Sequence, residues 1–180
     1  MNILVTGGLG FIGSHLVDSL LKENHRLFVI DNISTGSKKN INKSANYYFF
    51  DLKKFIKNNS KLKRFIKLKN IQVVFHLAAN ASVNAGMSNP MEIINENFNV
   101  SVNLLEACKG TKVRKFIFAS TSAVYGEPKY LPVDENHPTN PISIYGLSKL
   151  MFEQYLSYFK KENNLSIIIL RLPNVYGPRQ

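Results

Sequence analysis

The sequence has no tryptophan and one cysteine, and its 12 acidic residues are outnumbered by 23 lysines and arginines. A lone cysteine closes no disulfide within the chain, which excludes a disulfide scaffold. Cys108, beside Ala107 in a helical stretch, reads as a small buried hydrophobe. No apolar run approaches the roughly 20 residues of a membrane span, and the first residues enter a strand with no basic leader or cleavage site, so a cytoplasmic chain without a membrane partner is expected. No His, Cys, Asp and Glu cluster has ligand spacing, and no metal is expected.

What is present is a chain of 180 residues, 44% hydrophobic and 19% charged, suited to one globular domain with a sizeable core. The formal charge of +11 raises the question of a nucleic-acid partner. Its distribution argues against one. The lysines concentrate between Lys53 and Lys69, where Phe55, Ile56, Leu62, Phe65, Ile66 and Leu68 alternate with them, as on a helix with one solvated and one apolar face. Attraction of an anionic nucleotide substrate is a secondary consequence.

The stretch from Val5 to Gly13 organises the rest. Ile3-Leu4-Val5 reads as a strand and the residues after Gly13 as a helix, with a glycine turn between them. Gly8, Gly10 and Gly13 fit the G-x-G-x-x-G dinucleotide fingerprint, while Gly7, Gly10 and Gly13 fit G-x-x-G-x-x-G. Glycines there permit a tight turn, close approach to a pyrophosphate and packing of helix on strand, and the helix end from Phe11 and Ile12 onward offers N–H groups and a positive dipole to phosphates.

Beyond it, Ile12, Leu16, Leu20 and Val17, Leu21 keep helical spacing up to a stop at Asn24, and Leu27–Ile30 forms a second strand. That strand ends at Asp31, 18 residues after Gly13 and close to the ~20 at which an acidic residue accepts ribose hydroxyls. Asp31, followed by Asn32 rather than arginine, selects NAD over NADP, although a strand-end turn aspartate is the alternative. Further strands are expected at 47–50, 71–75, 115–120 and 167–170, with a long helix after Pro90 reaching about Cys108. Short, almost wholly apolar strands separated by helices predict an α/β fold, a doubly wound parallel sheet of Rossmann type. The small residues in Leu77-Ala78-Ala79 suit backbone lying under a ligand, and His76 before them reads as a hydrogen-bonded structural residue.

Two pairs carry a phenol and an ammonium at i and i+4. Tyr145 and Lys149 lie on a helix that continues through Phe152, Leu156 and Phe159, so the two side chains share one face. Tyr125 and Lys129 enclose Gly126 and Pro128 and belong to a loop. A phenol with an ordinary pKa near 10 is a poor base at neutral pH; lowering it by about three units needs roughly 4 kcal/mol of preference for the phenolate, which a lysine and a nicotinamide cation can supply. Thr121 and Ser122 stand just past the fifth strand, where ligands sit in open α/β sheets, and serve either as hydroxyls toward substrate or as a turn cap.

These segments together resemble the extended short-chain dehydrogenase/reductase family, within it the NAD-dependent nucleotide-sugar epimerases and dehydratases. The resemblance runs through Thr6–Gly13, Asp31–Gly36, Asp51-Leu52, His76–Ala79, Asn103–Ala107, Ser120–Gly126, Tyr145–Lys149 and Arg171–Gln180 in family order. It implies NAD as cofactor, Tyr145 as acid/base, Lys149 as its partner and ribose-binding group, and Thr121 as the hydroxyl that orients substrate. It also implies Asp31 on ribose, Asp51 and Leu52 on the adenine side, Asn97 behind the nicotinamide, Asn174 on the nucleotide phosphates, Ser82 and Ser122 near substrate, and a homodimer in the full-length form. Sugar dehydratases of the family carry Asp-Glu after the threonine, where this chain has Ser122-Ala123. A UDP-sugar 4-epimerase, of UDP-glucose or UDP-N-acetylglucosamine type, is therefore expected; the alternatives are a reductase, decarboxylase or dehydratase of the same family, or a non-catalytic NAD-binding module. The chain departs from the family at Ala85-Gly86 and Val100-Ser101. Family members continue past Pro178-Arg179-Gln180 into a smaller substrate lobe, so residues 1–180 are expected to form the NAD-binding domain with the Tyr/Lys pair and to lack that lobe.

Overall fold

The computed structural model describes residues 1–82 and 88–180, and all of their side chains except those of residues 161 and 162. Ala85 and Gly86 lie outside the described residues. Six strands, β1 (Asn2–Thr6), β2 (Arg26–Asp31), β3 (Asn46–Phe49), β4 (Val73–His76), β5 (Lys115–Thr121) and β6 (Ser166–Leu172), pair in the order β3-β2-β1-β4-β5-β6, every pair parallel. The order reverses direction between β1 and β4, and at such a switch point ligands bind outside the carboxyl ends of the strands.

Burial on both sides explains why the central strands are apolar throughout. Val17 of α1 (Phe11–Lys22) packs on Ile3, Val5, Leu27 and Val29, while Leu4, Phe28, Val74, Phe116 and Phe118 face α2 (Ser60–Leu68), α3 (90–108) and α4 (Ile144–Glu162) through Leu62, Ile66, Leu104, Phe152 and Leu156. Helix α3 consists of Pro90–Ile94, a π-helical turn Asn95–Asn99 and Val100–Cys108. Pro90 occupies its first turn, where a missing N–H costs nothing, and the Asn89 side chain caps it by accepting from the Glu92 N–H. Helix α1 ends before Asn24, which takes a left-handed φ of 58°.

The lysine-rich segment differs from the continuous helix its spacing predicts. A 3₁₀ turn, Leu52–Phe55, comes first, and α2 starts only at Ser60, because Asn58 accepts the Ser60 N–H in a local turn that competes with the helical ladder. Strand bounds shift by at most two residues from those read in the sequence, the largest shifts being the later start of β4 at Val73 and the extension of β6 to Leu172. Cys108 is buried, its thiol donating to the Leu104 carbonyl, and burial raises its pKa to about 12.

Candidate active site

The glycine turn leads from β1 into α1, and Gly10 is the N-cap of that helix in extended conformation without a side-chain cap. The first-turn N–H groups of α1 are thus left to a ligand or solvent. Gly13 lies so close beneath the turn that an added Cβ would stand 2.1 Å from the Gly7 carbonyl oxygen. Gly7 and Gly10 line a cavity of about 430 Å³ together with Asp31, Asn32, Asp51, Leu52, Leu77, Ala78, Ala79 and Ser82. Asp31 is 7% exposed at the end of β2, one carboxylate oxygen accepting the Leu9 N–H (2.9 Å) and the other the Ile33 N–H (2.7 Å). Each oxygen keeps a second lone pair for a ligand hydroxyl.

Below this cavity, His76 is held by the hydroxyls of Thr6 and Ser101 at 2.7 Å each, and burial pushes its pKa down to about 3. It is a neutral structural residue. At the cavity rim, Asp51 accepts the Lys53 N–H at 2.8 Å, the Lys53 ammonium meets Glu96 at 2.5 Å, and Asn80 donates to the other Glu96 oxygen at 2.7 Å. Sequence reading missed the Lys53–Glu96–Asn80 bridge, since Glu96 is 43 residues from Lys53 and 16 from Asn80 and no local pattern links them.

The second group of residues collects where β5 meets α4. Ser143 caps α4 by accepting the Gly146 N–H at 3.0 Å, which starts the helix just before Tyr145. Thr121, ending β5, accepts the Ala123 N–H at 3.1 Å and starts the turn Ser122–Val124, so it does cap a turn. Its hydroxyl also lies beside the Tyr145 phenol and favours the ionised form, but burial outweighs this and raises the Tyr145 pKa above 10. The expected depression by lysine is therefore not met by the chain's own groups. The Lys149 ammonium is 3% exposed, donates to the Ala119 carbonyl at 2.8 Å and lies 5.9 Å from the centre of the Tyr145 ring. Burial lowers the Lys149 pKa to about 7, with the Glu153 charge acting the other way.

Not every residue singled out in the sequence reaches these two groups. Asn97 is 2% exposed and does not line the cavity; its amide donates to the Asn80 carbonyl (2.9 Å) and Ser148 hydroxyl (3.0 Å) and accepts the Asn80 N–H (2.8 Å), tying α3 to α4. It sits in the π-helical turn, a local insertion that tends to mark functional regions. Phe11, Ile12 and Gly13 form the first turn of α1 rather than the cavity wall, and Asn174 is exposed beyond β6. Ser122 lines a second crevice, with Tyr125, Arg171 and Pro173. Tyr125 and Lys129 lie outside any helix; the Tyr125 ring packs under the Arg171 guanidinium at 4.8 Å.

A doubly wound parallel sheet with a glycine-turn cavity at its switch point and a Thr/Tyr/Lys group beside it defines a dinucleotide-binding α/β protein. The model of the NAD dependent epimerase/dehydratase family matches residues 3–180, and the chain belongs to that family. It is 44% identical over 179 residues to a putative UDP-glucose 4-epimerase of Methanocaldococcus jannaschii, covering 99% of this chain and 57% of the relative. The UDP-glucose 4-epimerase of Thermotoga maritima, solved with UDP-glucose, superposes with a TM-score of 0.94 at 42% identity over 100% of this chain and 58% of its own. The enzyme of the same name from Thermus thermophilus, solved with NAD, gives 0.92 at 40% identity, over 100% and 57%. The chain thus spans somewhat over half the length of these proteins. No helix among the described residues is long and apolar enough to cross a membrane.

Proposed function

We propose that this chain is the cofactor-binding and acid/base portion of a cytoplasmic, NAD-dependent UDP-sugar 4-epimerase that is a homodimer in its full-length form. The observation that carries the reading is the meeting of Thr121, Tyr145 and Lys149 at the carboxyl end of β5, in the family whose cofactor is NAD. The residues present fit that cofactor. An uncapped α1 N-terminus suits its pyrophosphate, and Gly10, at which an added Cβ would have only the Gly7 oxygen within contact range, at 3.4 Å, leaves room for it. Asp31 suits a ribose, and Asp51 with Leu52 the adenine side.

Bound at this site, NAD would supply an acceptor and donor of hydride for the sugar C4. Tyr145 takes the proton of the C4 hydroxyl and gives it back, and Thr121 orients that hydroxyl by hydrogen bonding. Lys149 stabilises the phenolate electrostatically and holds a ribose hydroxyl. Burial raises the phenol pKa in the free chain, so a positive charge beside Tyr145 would favour the phenolate that this role needs. Dehydration would need a further acid and base, whereas Ser122 and Ala123 carry no carboxyl group and Glu153 is engaged by Arg171.

The test is to incubate a protein carrying this chain and the rest of the relatives' length with NAD and UDP-glucose and follow the sugar by NMR. UDP-galactose is the expected product, formed by the native chain and not by Tyr145→Phe. A 4-keto-6-deoxy sugar in its place would overturn the reading in favour of a dehydratase. Absence of NAD binding would overturn it altogether.

A further inference from the structure

Three consecutive residues at the end of β5 grip three residues on one side of α4. The Ala119 carbonyl accepts from Lys149, the Ser120 hydroxyl donates to Glu153, and the Thr121 hydroxyl lies beside the Tyr145 phenol. Glu153 is one turn beyond Lys149 and 5% exposed. Its carboxylate also receives a two-pronged contact from Arg171 of β6, with Nη2 at 2.8 Å and Nε at 3.1 Å from the same oxygen and 3.3 Å from the other. Arg171 is the register partner of Ser120, so adjacent positions on two strands clasp one carboxylate. None of this is needed merely to pack a helix on a sheet, because apolar contacts through Phe118, Phe152 and Leu156 already do so.

We propose that Glu153 and Arg171 are positioning residues for the Tyr145/Lys149 pair: the buried Glu153 carboxylate keeps the Lys149 ammonium charged and aimed at the end of β5, and Arg171 limits how strongly that carboxylate acts. Lys149 has little else to hold a charge in place. On β4, His76 is neutral; on β5, the Phe118 ring lies 4.7 Å from the ammonium and Ala119 offers only a carbonyl; on α4, Tyr145 is a neutral phenol, and α3 approaches with the uncharged Asn97 through Ser148. Glu153 is thus the anion, and Arg171 the second cation, of the immediate surroundings. Burial brings the Lys149 pKa down to about 7 even with the Glu153 charge opposing it, so without that charge the proton would leave at a lower pH still. Arg171 stacks on Tyr125 in the Ser122 crevice, so a ligand that displaced it there would alter the charge balance at Lys149.

The inference takes the proposed role of Lys149 as given, but its test reads the ammonium itself, without substrate or NAD, and fails independently of that role. The 180-residue chain is labelled with ¹³C at lysine Cε, the Lys149 signal is identified by its loss in Lys149→Arg, and its titration is followed by NMR. Glu153→Gln is expected to lower the midpoint by about 1 on the pH scale or more, and Arg171→Gln to raise it. The double variant Glu153→Gln/Arg171→Gln removes both members of the ion pair together, so it retains the fold where a single variant loses it, and its midpoint is expected to lie below wild type but above Glu153→Gln. A purely structural role would move single variants in one direction or not at all. Midpoints unchanged from wild type, or shifts of the same sign in both single variants, would overturn the proposal; if only the double variant folds, an unchanged or raised midpoint in it does so.

Discussion

With Asp31 on the adenosine ribose, as proposed, a preference for NAD over NADP should follow from one carboxylate, and its size can be bounded from the geometry. Asp31 is buried to 7% exposure with both oxygens accepting backbone N–H groups, so it cannot swing away from a ligand in the cavity it lines. A 2′-phosphate on the adenosine ribose would place negative charge within several ångströms of it. For unit charges about 4 Å apart, the repulsion is about 1 kcal/mol in bulk water and about 4 kcal/mol at the effective dielectric of a protein surface. Since about 1.4 kcal/mol is tenfold in affinity, the preference for NAD falls between about 5-fold and about 10³-fold, and we expect at least tenfold at low salt. Asp31→Asn removes the charge and nearly keeps the shape, so the two dissociation constants should converge to within about threefold. The same change leaves either Leu9 N–H or Ile33 N–H without an acceptor, and the chain should lose about 1–3 kcal/mol of stability. Calorimetric titration of both cofactors, with urea unfolding alongside, measures the two effects separately. Equal affinities in the wild type, or an unchanged ratio in Asp31→Asn, would refute the assignment.

Three other outcomes follow from the same structure. In a protein carrying both this chain and the rest of the relatives' length, Tyr145→Phe should cut kcat by roughly 10²- to 10⁴-fold with NAD still bound, and Tyr125→Phe far less; steady-state kinetics that ranked them equally would move the acid/base elsewhere. Gly13→Ala should destabilise the chain by about 1–3 kcal/mol and weaken NAD binding, because its Cβ meets the Gly7 carbonyl at 2.1 Å and the turn must open, which thermal melts and a cofactor titration would show. His76 has a folded-state pKa near 3 against 6.5 when unfolded, so only the unfolded chain gains its proton between those values. Stability should therefore be complete above about pH 6.5 and fall by up to about 1.4 kcal/mol per pH unit below it, an acid sensitivity that His76→Asn should reduce in urea titrations at several pH values.

Local signals carried much of the fold. Apolar runs of four to seven residues, the proline that opens α3 and the asparagine after α1 each act through backbone sterics or short-range bonding, and those effects are written in adjacent residues. The same holds for the glycine turn, for Asp31 at its interval from Gly13, and for Tyr145 and Lys149 one helical turn apart. Distinguishing that pair from Tyr125 and Lys129 also needed only sequence, because Gly126 and Pro128 rule out a helix there.

What sequence alone could not determine was how these residues are charged and who their partners are. A phenol next to a lysine on a helix looks lowered in pKa, yet packing against β5 desolvates both groups, so Tyr145 rises and Lys149 falls. The family resemblance put Asn97 behind the nicotinamide, and only the approach of α4 commits its amide to Ser148 and to the backbone of Asn80. The Lys53–Glu96–Asn80 bridge and the Ser120–Glu153–Arg171 clasp join residues from separate elements, brought together by the strand order and the docking of α3 and α4. Periodicity sets which face of an element is buried; desolvation and long-range pairing depend on what lies opposite that face, and that exists only once the sheet has assembled.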